Sequence, residues 1–128
     1  MFKDELHSSN RDPYEGAAEQ YLRTKGLVLI ERNFSVPCGE IDLIMSDKKH
    51  TIIFIEVKYR KHSSYGSGFD AVTKRKQDKL SKAANYFLLS HKLINHASCR
   101  FDIVSVSRQQ GSNELTFDWL INAFEQSY

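Results

Sequence analysis

This sequence predicts an α/β domain built as an αβββαβ core, with a mixed central sheet flanked by helices. Three observations carry that expectation. Residues 41–45 and 52–57 are short strand-like runs joined by polar Ser46-Asp47-Lys48-Lys49-His50, the pattern of a β-hairpin. Apolar residues at helical spacing stand on both sides of that hairpin. A further alternating run, residues 100–106, follows one helix later, which suits a parallel strand reached by a helical crossover.

Each element has its own warrant. Residues 1–11 are polar and read as a mobile lead-in. Asp12-Pro13-Tyr14-Glu15 is a helix start, with Asp12 as N-cap, Pro13 in the first turn and Glu15 closing a capping box. Tyr14, Ala17, Ala18, Tyr21 and Leu22 keep helical spacing, and Gly26 suits the stop. Residues 27–32 read as the first strand and 33–38 as a connector to the hairpin. Residues 59–68 hold two glycines and three serines and read as a loop. The second helix begins near Thr73 and ends about Ser90, turning Val72, Leu80, Ala83, Ala84, Phe87 and Leu88 toward the sheet. Residues 109–113 form a turn, and 115–124 suit a short strand followed by a helical turn.

Composition narrows the class. With 128 residues and 41% hydrophobic content, the chain can bury one core but hardly two, so residues 1–128 are read as a single domain. No apolar run approaches the roughly 20 residues of a membrane span. The charged start, Met1-Phe2-Lys3-Asp4-Glu5, lacks the apolar stretch of a signal peptide. Cys38 and Cys99 are too few and too far apart for a disulfide framework or a Cys-type zinc site, and read as reduced thiols. The five histidines show no metal-ligand spacing. A cytoplasmic protein with no membrane partner is expected.

The hairpin carries the chemistry. Alternation puts Ile41, Leu43 and Met45 on one face and Glu40 and Asp42 on the other. On the second strand, Ile53, Ile55 and Val57 oppose Glu56 and Lys58. A loop centred on Lys49 sets Asp42 opposite Glu56 and Glu40 opposite Lys58, about 5 Å apart at Cβ. Carboxylates that close repel unless a cation or a shared proton compensates. Two acids and a lysine on one patch therefore suit a hard divalent cation, Mg²⁺ or Mn²⁺, which takes one or two carboxylates plus water and phosphate. Such a site suits phosphodiester hydrolysis, with the lysine positioning water or neutralising developing charge.

Gly39-Glu40-Ile41-Asp42-Leu43-Ile44 and Phe54-Ile55-Glu56-Val57-Lys58-Tyr59-Arg60 resemble the active-site strands of the PD-(D/E)XK nuclease superfamily. The likeness extends over about residues 14–106 to the bacterial endonuclease-like YraN family, through Glu15, Tyr21-Leu22, Arg32-Asn33, Gly66, Ala71-Val72, Lys76-Gln77 and Arg100-Phe101-Asp102. The superfamily's proline before the aspartate is Ile41 here. The resemblance implies a restriction endonuclease-like fold and a metal-dependent nuclease that acts on DNA rather than RNA. It implies Asp42, Glu56 and Lys58 as catalytic residues, with Glu15 as a further helical acid. Asp42, Glu56 and the Val57 carbonyl would hold the metal, and Glu40 would support it from behind. Related resolvase-like nucleases are dimers, so a homodimer is an open expectation.

Charge distribution points the same way. The segment 57–82 carries Lys58, Arg60, Lys61, Lys74, Arg75, Lys76, Lys79 and Lys82 against only Asp70 and Asp78, although the whole chain is only +2. Arg60, Lys61, Lys74, Arg75, Lys76, Gln77 and Lys79 are the expected nucleic-acid contacts, since neutralising phosphates releases counterions. Tyr59 and Tyr65 flank the site and could stack on bases or pack inside. Each reading has a plainer counterpart: an Asp42–Lys58 ion pair, Glu15 as a cap alone, a solvated helix face, Asp102 as a structural acid. At the level of function, the counterpart is a non-catalytic module that grips nucleic acid.

Overall fold

The computed structural model describes residues 12–61, 72–93 and 98–126. Expectations for residues 1–11, and for Tyr65, Gly66, Asp70, Ala71 and His96, lie outside the described residues. The elements are α1 (Pro13–Thr24), β1 (Val28–Val36), β2 (Gly39–Ser46), β3 (Ile52–Arg60), α2 (Lys74–Ser90), β4 (Cys99–Arg108) and β5 (Leu115–Phe124). The αβββαβ core is present, with β5 added at its end. The five strands lie in sequence order, and only the β3–β4 pairing is parallel.

The hairpin register follows from its loop. Ser46 pairs with Ile52, Met45 with Ile53, Ile44 with Phe54 and Leu43 with Ile55. Beyond Leu43 the two strands part. β2 continues beside β1, to the Val36–Gly39 pair. β3 continues beside β4, from Glu56–Ile103 to Arg60–Ser107. The sheet thus opens as a wedge between β2 and β3 at the end remote from the hairpin loop.

Both faces of the sheet are covered, which is why its central strands are apolar at nearly every position. On one face, Ile44, Ile52, Phe54 and Phe101 pack under Leu80, Ala83, Ala84, Phe87 and Leu88 of α2. On the other, Leu43, Met45, Ile53, Ile55, Val104 and Val106 pack against Ala18 and Leu22 of α1. Ile41 departs from the expected alternation: it joins Ile44 under α2 rather than sharing a face with Leu43. Its strand has lost β3 as a partner by then and follows β1, which is irregular opposite it at Asn33.

Both helix starts are as expected, and each has a side-chain cap. Asp12 accepts the Tyr14 N–H at 2.8 Å, and Thr73 accepts the Lys76 N–H at 3.1 Å. Glu15 does not close a capping box; its carboxylate accepts from Asn33 Nδ2 at 2.7 Å. Gly26, with φ of 97°, ends the α1 turn as expected.

Three segments differ from the sequence reading. The loop expected from residue 59 begins later, because β3 stays paired with β4 to Arg60. The expected connector 33–38 is mostly strand, because β1 runs to Val36 and leaves only Pro37 and Cys38 as the turn. A bulge between Leu29 and Glu31, and Asn33 at φ of 48°, interrupt the alternation and mask Phe34 and Val36 as strand residues. The C-terminal stretch is one ten-residue strand, with no helical turn. Its aromatic residues pack within the chain: Phe117 stacks on Tyr21 at 4.6 Å, and Phe124 on Phe101 at 4.8 Å.

Asp102 is structural, as the plainer reading held. It is 1% exposed, yet it accepts from Arg100 Nε at 3.0 Å, Trp119 Nε1 at 2.9 Å and the Asn122 N–H at 2.9 Å. These bonds fasten β5 to β4 across a second bulge, between Phe101 and Ile103. Trp119→Phe keeps the packing but removes one donor from a buried carboxylate. It should cost about 1–3 kcal/mol in urea denaturation, and an unchanged midpoint would refute the role.

Gly39 is required for a different reason. A Cβ there would lie 2.9 Å from the Lys79 carbonyl oxygen of α2, closer than side chains tolerate. Gly39→Ala must push α2 from the start of β2, at a cost of about 1–3 kcal/mol. A lowered thermal midpoint is the expected result, and an unchanged one would show that the helix gives way freely.

Candidate metal and nucleic-acid site

The wedge between β2 and β3 is where the acids meet. Asp42 is the first β2 residue beyond the last pair with β3, Leu43–Ile55, and its Oδ2 accepts the Val57 N–H at 2.8 Å. A side chain thereby replaces the missing strand carbonyl. In an extended residue, N–H and C=O point to the same neighbour. The Val57 carbonyl is therefore directed to the β2 side as well, into the wedge.

Glu56 precedes it on β3 and is only 4% exposed. Its Oε2 lies 2.7 Å from Lys76 Nζ and 3.4 Å from Lys58 Nζ. The expected alternative, an Asp42–Lys58 pair, is not how the lysine is used: it pairs with Glu56. Asp42 is hydrogen-bonded to Glu56, and its pKa is pushed up to about 9. Burial is the main cause and the Glu56 charge adds to it, while the Val57 N–H works the other way. Raised that far, the Asp42 carboxyl keeps its proton at neutral pH.

Glu15 reaches the same place from α1. Its carboxyl bonds to Asn33 and to Asp42, and burial raises its pKa. Glu40 is exposed at the rim, where it lines a cleft of about 300 Å³ with Gly39, Asp42, Glu56, Lys76, Lys79 and Leu80. Asp42, Glu56 and Glu15 thus meet in the wedge, with Lys58 on Glu56 and Glu40 at the rim; the expected ladder pairs Asp42–Glu56 and Glu40–Lys58 are not made, because β2 and β3 part beyond Leu43.

The expected nucleic-acid contacts divide. Lys76 and Lys79 line the cleft, whereas Lys74 pairs with Asp78 at 3.3 Å on the exposed face of α2. Arg75 and Lys61 are exposed, and Arg60 is half-buried at the end of β3. Gln77 turns away, its amide donating to the Val72 carbonyl at 3.1 Å. Tyr59 stacks on Tyr14 of α1 at 4.0 Å, which settles its packing role.

Two contributors are only partly legible in the sequence. The resemblance allows Lys76 or Gln77 against the site as well as on phosphate; the structure gives that place to Lys76, and nothing in its spacing tells that it reaches Glu56. Glu19 is fully buried on α1 and binds Arg23 at 2.9 Å and Arg32 at 2.7 Å. With Glu15–Asn33, this fixes α1 against the β1 bulge and so aims Glu15. A Glu at one helical turn from Glu15, on the same side as buried Ala18 and Leu22, was the available signal.

Among the described residues, no three His, Cys, Asp or Glu side chains are placed to hold a metal by themselves. Two carboxylates and a carbonyl around one wedge nonetheless match the needs of Mg²⁺ or Mn²⁺, which leave several positions to water and phosphate. Burial and the Glu56 charge disfavour a second negative charge on Asp42, and a cation there would relieve both. The donor set fits the ion.

No helix among the described residues is long and apolar enough to cross a membrane. The sequence model described as "Uncharacterised protein family UPF0102" matches residues 14–106. A UPF0102 protein of Stutzerimonas stutzeri is 43% identical over 121 residues, 94% of this chain and 98% of that one. One of Vibrio cholerae is 39% identical over 127 residues, 98% of each. One of Aliivibrio salmonicida is 44% identical over 111 residues, 86% of each. Among solved structures, Pyrococcus furiosus SfsA in complex with Ca²⁺ aligns at 15% identity with a TM-score of 0.34, over 83% of this chain and 59% of that longer one. A likeness that slight carries no argument. Matched along nearly its whole length by relatives of the same family, the chain belongs to UPF0102, the YraN family of the restriction endonuclease-like superfamily.

Proposed function

We propose that this protein is a divalent-metal-dependent nuclease that hydrolyses phosphodiester bonds in DNA. The observation that carries the reading is the Asp42–Glu56 pair: two carboxyls brought together at a strand divergence, with Lys58 on the same edge. Folding pays a desolvation cost for such a pair, and a binder of polyanions gains nothing from it. Asp42, Glu56 and the Val57 carbonyl would hold Mg²⁺ or Mn²⁺. Bound there, the ion supplies charge neutralisation at phosphate and a more acidic water. Lys58 orients the attacking water and offsets negative charge as it develops. Glu15 fixes the Asp42 carboxyl from the α1 side. Lys79, Arg75, Lys61 and Arg60 form the track for the DNA backbone. A cytoplasmic location and a homodimer cutting both strands belong to the same proposal.

A second reading, a non-catalytic DNA-binding module, is favoured by one observation. Glu56 already carries two ammonium groups, so its charge is balanced without a metal. Cleavage of labelled single strands, duplexes, flaps and four-way junctions in Mn²⁺, Mg²⁺ or EDTA separates the two. Metal-dependent cutting is expected, with Lys58→Ala reduced by about 10²-fold or more. Binding of the same substrates without any cutting would select the module.

Stability against pH gives an independent check. Folded Asp42 holds its proton to about pH 9, against 3.8 for the ordinary group. Between those values the native state binds more protons than the unfolded one, so this group's contribution falls as pH rises. Asp42→Asn keeps an acceptor for the Val57 N–H and removes the acid. In EDTA, the stability of Asp42→Asn relative to wild type should increase steadily from about pH 5 to about pH 9. Mn²⁺ should raise the wild-type melting temperature more at high pH than at low, and Asp42→Asn should lose that response. A constant difference between the proteins would sink the assignment of a protonated Asp42.

A further inference from the structure

We propose that Lys76 is an exchangeable cation: its ammonium holds Glu56 until a divalent ion takes that carboxylate, and the released side chain then binds a phosphate of the nucleic acid. This rests on the nuclease reading and adds a coupling between its two ligands. Two independent observations support it.

The first is the contact itself. Of the two lysines on Glu56 Oε2, Lys76 is the nearer, at 2.7 Å against 3.4 Å for Lys58. An ammonium at that distance and a divalent ion would repel each other across one oxygen, so they compete for it. Lys58 is anchored two residues away on the same strand. Lys76 comes from a different element, and its side chain is 43% exposed, which leaves it room to swing.

The second is the helix end that carries it. The first turn of α2 holds Lys74, Arg75 and Lys76 and no acidic residue. A helix N-terminus bears partial positive charge and disfavours cations. This arrangement breaks the ordinary rule at the edge of the cleft, where Lys76 is both repelled by its own helix and drawn to Glu56. A phosphate satisfies the same group of charges in another way, through the freed ammonium.

The exchange makes ion and nucleic acid bind cooperatively. An ion that displaces Lys76 frees a phosphate ligand, and a phosphate that recruits Lys76 frees Glu56 for the ion. Linkage requires the two effects to be equal.

Calorimetric titration of Mn²⁺ into wild type, Lys76→Gln and Lys79→Gln tests this, with and without a cleavage-resistant phosphorothioate duplex. Lys79 lines the same cleft and controls for the general loss of a positive charge. Without DNA, Lys76→Gln should bind Mn²⁺ about three- to fivefold tighter than wild type, and Lys79→Gln should change by less than about twofold. The duplex should tighten Mn²⁺ binding less in Lys76→Gln than in wild type. Equal Mn²⁺ affinities in the two variants would make Lys76 a fixed brace and overturn the exchange alone. A wild-type protein that binds no Mn²⁺ would overturn the exchange and the nuclease reading together.

Discussion

Where β2 and β3 separate, a backbone hydrogen bond is replaced by the bond from the Val57 N–H to the Asp42 carboxylate. Much of the site depends on that substitution. Had the ladder continued past Leu43 and Ile55, a strand carbonyl would have taken the Val57 amide and closed the gap. Instead β2 follows β1, β3 follows β4, and the wedge between them exposes one edge of each strand. Buried backbone donors must be satisfied. The acid is therefore structural as well as chemical, and only an acceptor of this length at position 42 serves both needs.

The surrounding frame holds the wedge open. α2 comes so close to Gly39 that no side chain fits between them. On the other face, Glu19 with Arg23 and Arg32, and Glu15 with Asn33, fasten α1 to the irregular part of β1. A buried carboxylate is tolerated only with partners, and Glu19 has two guanidinium groups. Tyr14 stacked on Tyr59 joins α1 to β3 immediately beside Glu15 and Lys58. The acids are held from three elements, none of which is a loop tip.

How much of this was legible depends on how local the cause was. The nearness of Asp42 and Glu56 follows from one hairpin, whose loop length sets the register as far as Leu43–Ile55 and leaves these two acids as the next residues along. The helices followed from periodic apolar residues and from Asp12, which caps where its side chain indicates, while Thr73, read only as a start, proves to be the second cap. Ile41 was misassigned because alternation presumes a continuous ladder, and its ladder ends. The second half of β1 was hidden by a bulge and by Asn33 in a left-handed conformation, which disguise Phe34 and Val36 as connector. β5 was ambiguous alone because its stability lies in Asp102, on a different strand. Lys76 on Glu56 is a contact between elements, set by how α2 seats on the sheet. No pattern within either segment encodes it.

The sheet's connectivity has a consequence for how the molecule assembles. β1, β2 and β3 form a meander joined by short turns, so their contacts are local and close early. β3 and β4 are parallel and meet only after the chain has gone through α2. Asp42 and Glu56 are thus brought together by the fast part of the fold, while Lys76 arrives with the slow crossover. For that interval the meander carries neighbouring acids without their helical counter-charge. The rate at which it closes should then depend on protons and on dissolved cations, which makes the ions of the solution participants in folding before they are participants in chemistry.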